Sequence, residues 1–532
     1  MSARHTTLFV GFDACDPAIA LDFAERGRMP ALAQLLRRGV RCPVRKPYGL
    51  FVGALWMTFA TGLSPDRHGF HCWDEIEIAS YRRRLTTPKQ VAAPTFWQAI
   101  SKAGREVAVL NVPHSRARGL GQGLMVAEWG CHDRHFGFHT WPPTEAARIE
   151  GDFGLHPIFG MDAYAAREFA PDDYAYRASR RRRPDEERRL LDSLLRGVDA
   201  KRCLSTSLLA ERRWDLFLTV LGEGHAVGHQ QWHLHDPGHP RHDPAVAAAL
   251  GGDPLQQVYE RLDGALGDLL SLVDDQTIVF TLLSHGMAAH YDGTHLLEEV
   301  LRRIDSADRV ERSGWRAGGM LDWVAGRLAG TARRDSDMLS LAEARHRAAG
   351  RMLKPCREFA TPRQRARQRF FLEPNNYVYG GVRLNLIGRE PNGLVPKGAV
   401  EEISARLAED LRQLVNLDSG GPVVRGIERA DRLYRRSESD TMPDLFIDWD
   451  RTAPIETVWS PKTGLVHAPY VNWRTGNHRP DGLLLVAGPG IPAAGAAPEI
   501  MLEDLAPSLA ARLDVALENV DGRRVDWIAA RG

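Results

Sequence analysis

The chain has 532 residues, 43% hydrophobic and 26% charged, with a formal net charge of +1. These values describe an ordinary globular protein and argue against a disordered chain. The near-zero charge supplies no long-range field toward nucleic acid or a membrane surface. At this length the expectation is one large α/β domain with insertions, or two to four smaller units.

In chain order, short apolar runs read as buried strands of a parallel sheet: residues 8–12, 106–110, 124–127, 216–221, 277–283 and 483–487. Helical patterns lie between them at 30–36, 96–103, 187–209 and 254–272. Pro184 with Asp185, Glu186 and Glu187 reads as a helix start after the basic run Arg180 to Arg183. That run is a solvated junction or, alternatively, an anion site. Strands alternating with helices predict a doubly wound, mostly parallel sheet with helices on both faces. The less periodic stretches 135–180 and 299–380 are expected as insertions capping that single domain. Residues 377–393 alternate apolar and polar, which suits a strand with one solvated face.

The six cysteines show no C-x-x-C pair. The start of the chain lacks a signal-peptide core, and no run of about 20 apolar residues marks a membrane span. The expectation is a cytoplasmic protein with reduced thiols, bound to neither membrane nor nucleic acid.

The residues that carry chemistry follow the strands. Asp13 follows the first run, Glu223 and His225 follow the fourth, and Ser284 and His285 follow the fifth. In open α/β sheets ligands gather outside the carboxyl ends of strands, so these clusters converge on one crevice. His225 and His229 are one helical turn apart, a spacing at which two imidazoles can hold one metal ion. His478 precedes the last apolar run. In a chain with 20 histidines such pairs also arise by chance.

Seven motifs in order resemble the alkaline phosphatase superfamily, in its type I phosphodiesterase/nucleotide pyrophosphatase-like branch. They are Gly11-Phe12-Asp13, the Pro30 to Gly39 helix, Trp56 to Gly62 with Pro65 and His68-Gly69, and Gly222 to Trp232. Ser284-His285-Gly286-Met287, Asn477 to Gly482 and Glu503 to Pro507 complete the series. The resemblance implies an alkaline-phosphatase-like fold and a hydrolase of phosphate or sulfate esters. It implies metal ligands at Asp13, His225, His229, Ser284, His285 and His478, most simply for zinc, with manganese or iron as alternatives. A three-histidine site with an open position suits zinc. The second site is depleted, because Ser284 stands where the branch carries Asp.

The nucleophile slot falls on Val52, which cannot attack, and the nearest hydroxyls are Tyr48 and Thr58. The resemblance therefore implies a metal-bound water as nucleophile. A non-hydrolytic binding protein, or a transferase or isomerase on the same scaffold, stays open. The substrate is expected to be small and anionic, and Arg383 is suited to grip it, a structural ion pair being the alternative. Cys42-Pro43-Val44-Arg45 differs in order from the sulfatase signature and reads as structural. His68, His71, His290 and His295 read as locally bonded histidines.

Overall fold

The computed structural model describes residues 6–131, 135–157, 182–312, 359–376, 378–437, 440–469 and 474–530. The chain divides into two compact units. The first contains residues 1–70, 87–290 and 472–532, and the second contains 71–86 and 291–471.

The first unit is built on one large sheet. Its strands are β1 (Thr7–Phe12), β2 (Gly39–Arg45), β3 (Val107–Leu110), β4 (Gly123–Ala127), β5 (His139–Trp141), β6 (Leu216–Leu221), β7 (Ile278–Leu283) and, after a separate hairpin, β10 (Leu483–Ala487). The hairpin pairs β8 (Gly286–Ala289) with β9 (Gly476–Arg479). The order across the sheet is β2-β10-β7-β1-β6-β3-β4-β5, with a short strand at 495–496 outside β2. β1, β3, β4, β6 and β7 run parallel. β10 is antiparallel to both its neighbours, and β5 is antiparallel to β4. The expected mostly parallel α/β sheet is therefore what forms.

Continuous apolar runs suit these central strands because both faces are covered. Along β1, Leu8, Val10 and Phe12 enter one core while Phe9 enters the other. The first core packs under helices at 17–25, 30–38, α2 (Pro184–Glu211) and α4 (Pro254–Ser271). The second packs under α1 (Phe51–Thr61) and the helices at 96–102 and 505–512. Each fully buried Leu or Phe contributes roughly 1.5–3 kcal/mol. α3 (Glu223–His235) follows β6 directly. Helix α2 begins at Pro184 with three acids in its first turn, and Arg182 donates to the Gln230 carbonyl, so this arginine serves the junction. Arg180 and Arg181 lie outside the described residues.

The segment expected as an insertion at 135–180 carries β5 and a helix at 145–153 within the first unit; residues 158–181 lie outside the described residues. The second expected insertion, 299–380, adds a helix (Thr294–Arg312) and the strand Phe370–Glu373 to the second unit; residues 313–358 lie outside the described residues. That unit holds a four-stranded antiparallel sheet in the order 370–373, 379–384, 445–449, 424–429. Tyr379–Leu384 is the expected strand, but it is buried on both faces rather than half-solvated, because the helix at 294–312 and neighbouring strands enclose it. Among the described residues no helix is long and apolar enough to cross a membrane.

Candidate metal centre

Strand register sets the site. Phe12 lies opposite both Leu221 and Leu283 in the parallel ladders. The ladder continues one residue further: Asp13 N donates to Leu221 O at 2.9 Å and Ser284 N donates to Phe12 O at 3.0 Å. Asp13, Gly222 and Ser284 thus leave three adjacent strands at one level on the carboxyl edge. Gly222 caps α3, whose first turns carry His225 and His229 with ring centroids 4.6 Å apart. His478 arrives on β9. Gly476 permits that approach, since a Cβ there would meet Gly228 O at 2.1 Å, while Gly228 makes room for the Met287 methyl of β8. Backbone so close to backbone places the His478 ring 4.4 Å from His229 and 4.4 Å from His285.

Two groups of ligand atoms result, His225, His229 and His478, and Asp13, His225 and His285, each within 4.8 Å of one another and all buried. His225 belongs to both. Its Nδ1 lies 2.9 Å from Asp13 Oδ2. The other Asp13 oxygen accepts from Trp56 Nε1 at 3.0 Å and from Ser284 Oγ at 3.2 Å. Ser284 Oγ also accepts from Ala14 N and lies 2.9 Å from His285 Nδ1. Expected as a weak ligand, Ser284 here ties the Asp13 carboxylate to the His285 ring.

Hydrogen bonding decides the His229 tautomer. Gly476 O can only accept, so His229 Nδ1, 2.7 Å away, carries the hydrogen and Nε2 carries the lone pair. That lone pair faces His478 Nε2 at 3.1 Å, and His478 Nδ1 faces His285 Nε2 at 2.9 Å. Adjacent ligands held ~2.0–2.1 Å from one tetrahedral zinc ion stand ~3.3–3.4 Å apart, so the His229–His478 spacing is within a few tenths of an ångström of what a small cation needs. The carbonyl behind His229 is the outer partner such a ligand needs. Burial, then Arg474, then His225 hold the His229 imidazole well below its ordinary range; burial and His285 do the same for His478. Neutral imidazole is the form that binds metal.

Other candidates sort differently. Val52 is the second residue of α1, and its neighbour Phe51 meets the His285 ring edge-on at 5.9 Å. Thr58 is two turns into α1, buried, and bonded to His68 Nε2 at 3.0 Å, while Phe70 N donates to His68 Nδ1. Tyr48 lies in the turn before α1. His290 bonds the Arg474 carbonyl through Nδ1 at 3.3 Å, and His71 and His295 belong to the second unit. Cys42 donates to Pro498 O and is structural. Arg383 corrects an expectation: it is 0% exposed inside the second unit, with Nε 2.6 Å from Glu390 and Nη1 3.5 Å from Glu373. Its guanidinium serves an internal ion pair, so it is not offered to a substrate.

Two features escaped the sequence reading, the partners of Glu223 and the role of Arg474. Glu223, at the start of α3, meets Lys201 Nζ of α2 at 3.0 Å and His156 Nε2 at 3.4 Å, all three buried. Lys201 stands in an amphipathic helix with nothing local to mark it. Arg474, two residues before Gly476, is the cation whose charge bears on His229 and His478. Its place beside the closing histidine motif was the available signal.

A mostly parallel sheet with a histidine–carboxylate cluster at its carboxyl edge defines an α/β protein with a candidate two-ion centre. The chain belongs to the type I phosphodiesterase/nucleotide pyrophosphatase family, whose profile matches residues 7–469. It is thereby a member of a family of phosphoric-ester hydrolases. No curated protein matches it significantly. Among solved structures it is similar to phosphonoacetate hydrolase from Sinorhizobium meliloti 1021, at 16% identity and TM-score 0.47, over 97% of this chain and 96% of that one. It is also similar to murine ectonucleotide pyrophosphatase/phosphodiesterase 5, at 11% identity and TM-score 0.47, over 99% of each. A variant of the alkaline phosphatase PafA gives 14% identity and TM-score 0.47, over 99% of each.

Proposed function

We propose that the protein hydrolyses a small anionic phosphoric ester with the help of one or two divalent ions held by Asp13, His225, His229, His285 and His478. The observation that carries this reading is the convergence of four buried imidazoles and one carboxylate from β1, β7, β9 and α3, with facing nitrogens at 2.9–3.1 Å. When bound, a zinc-class ion supplies Lewis acidity and lowers the pKa of water to about 7, chemistry that Val52 cannot supply.

The protein's own residues do the rest. Trp56 and Ser284 hold Asp13 by two hydrogen bonds to one oxygen. Gly476 fixes the His229 ring. Arg474 brings the positive charge that was sought at Arg383, and an anionic ester is drawn to it. Five described cysteines are free thiols, four of them buried, which accords with a reducing, cytoplasmic setting.

The test is metal analysis coupled to turnover. Chelated protein reloaded with zinc, manganese or iron is assayed on phosphomonoesters, phosphodiesters and sulfate esters. His229→Ala should weaken metal binding by about 100-fold or more and remove turnover, since loss of even an outer partner costs about 10–100-fold. Hydrolysis that persists in fully chelated protein would sink the proposal. The valine at position 52 favours a second reading, transfer to a nucleophile that the substrate itself provides. A product that carries the phosphoryl group on an acceptor other than water would select it.

A further inference from the structure

The carboxyl ends of β3 and β4 carry a second constellation. β3 lies two strand spacings from β1 and β4 three, so it stands ~10–14 Å along the same edge from Asp13. His114 Nδ1 faces His135 Nε2 at 2.9 Å. This repeats the spacing of facing imidazole nitrogens in the centre described above. Phe70 walls both rings, with centroids 5.2 Å and 6.1 Å away. Glu128, fully buried, accepts from His135 N at 2.8 Å and from Phe136 N at 2.9 Å, which anchors the backbone that carries His135.

The backbone here is strained. Asn111, His114 and Glu128 all have left-handed φ, at 55°, 60° and 57°. Such residues cost of order 1–3 kcal/mol each and gather where geometry serves a ligand. Asn111 Oδ1 is buried without a hydrogen-bond partner, three residues before His114. Left-handed backbone at both His114 and Glu128 is more than a hydrogen bond between two rings requires.

We propose that His114 Nδ1 and His135 Nε2 bind a divalent ion of the copper, zinc or nickel class. Imidazole selects borderline ions of this class over magnesium or calcium. With one histidine fewer than the first group, this site binds more weakly than the centre.

The experiment uses the full chain, stripped of metal and titrated with zinc ions alone. Calorimetry counts equivalents, and imidazole nitrogen NMR of the wild type reports which rings bind. Wild type should bind one more equivalent than His135→Ala, and His114→Ala should match His135→Ala. His135 is only half-buried, so its truncation leaves the fold intact. The His114 and His135 resonances should shift after those of His229 and His478. Equal stoichiometry in wild type and both variants, or wild-type His114 and His135 resonances unmoved by saturating zinc, overturns the proposal. His229→Ala separates the two readings, because it removes ions from the centre and leaves this site in place.

Discussion

Replacing Lys201 by methionine takes away the cation opposite Glu223 while nearly conserving volume. The two side chains are 2% and 4% exposed and 3.0 Å apart. Burial pushes the Glu223 carboxyl up, yet Lys201 and then His156 overcome it and hold the group down at about 2, from 4.5. At 1.36 kcal/mol per pH unit that difference is worth about 3 kcal/mol. Breaking a buried pair typically costs ~3–5 kcal/mol, so the two routes agree. The sign with pH follows. In wild type the depressed carboxyl contributes stability that is present above 4.5 and is lost as pH falls through about 2. In Lys201→Met the carboxyl faces burial with less compensation, its pKa rises, and the variant loses stability as pH rises. Urea unfolding followed by circular dichroism, on metal-free protein at about pH 4 and about pH 8, should show a deficit of ~3–5 kcal/mol at the higher pH that shrinks at the lower. Lys201→Met with Glu223→Gln should recover at least half of it. A deficit below about 1 kcal/mol, or one that is equal at both pH values, would refute the reasoning.

Three further outcomes are expected. Arg383→Met removes one of the two arginines on Glu390, Arg389 remaining at 2.9 Å, and should destabilise the protein by ~1.5–3 kcal/mol, with KM of the folded enzyme unchanged; a raised KM without lost stability would restore the substrate role. Burial pushes the Lys46 amine down from 10.5 to about 7, so its stabilising contribution is present above 10.5 and is lost as pH falls through about 7. Lys46→Met should therefore gain stability at and below neutral pH, by up to ~5 kcal/mol less the bond to Pro480 O, with the gain fading toward pH 10; thermal melts across pH check it. Ser284→Ala cuts the link between Asp13 and His285 and should weaken metal binding about 10-fold without unfolding the protein, measured by competition with a chelating dye.

Much of the fold was legible because parallel strands covered on both faces are continuous apolar runs. All six expected strands appear within one residue of their observed limits. The misses have physical causes. In β2, Arg41, Pro43 and Arg45 are exposed and interrupt the apolar series, so no run stands out. β9 reads Gly-Asn-His-Arg and contains no apolar side chain; it is a strand because Gly476 packs onto the α3 backbone and Met287 lies opposite His478. Tyr379–Leu384 alternates as a half-solvated strand would, yet its polar member Arg383 is buried with Glu373 and Glu390.

The sequence by itself determined the class of fold and the inventory of donors, since strand periodicity, helix spacing and the residues just past each strand are local properties. Only the tertiary structure decided which donors meet. His229 and His478 stand 249 residues apart and touch because Gly476 lets β9 lie against the α3 backbone. His225 belongs to both ligand groups because β1 and β6 are neighbours in register, which brings Asp13 beside the first turn of α3. Arg383 and Arg474 differ in the same way: each is one arginine in a polar stretch, and only the burial of one and the placement of the other beside the imidazoles tell them apart.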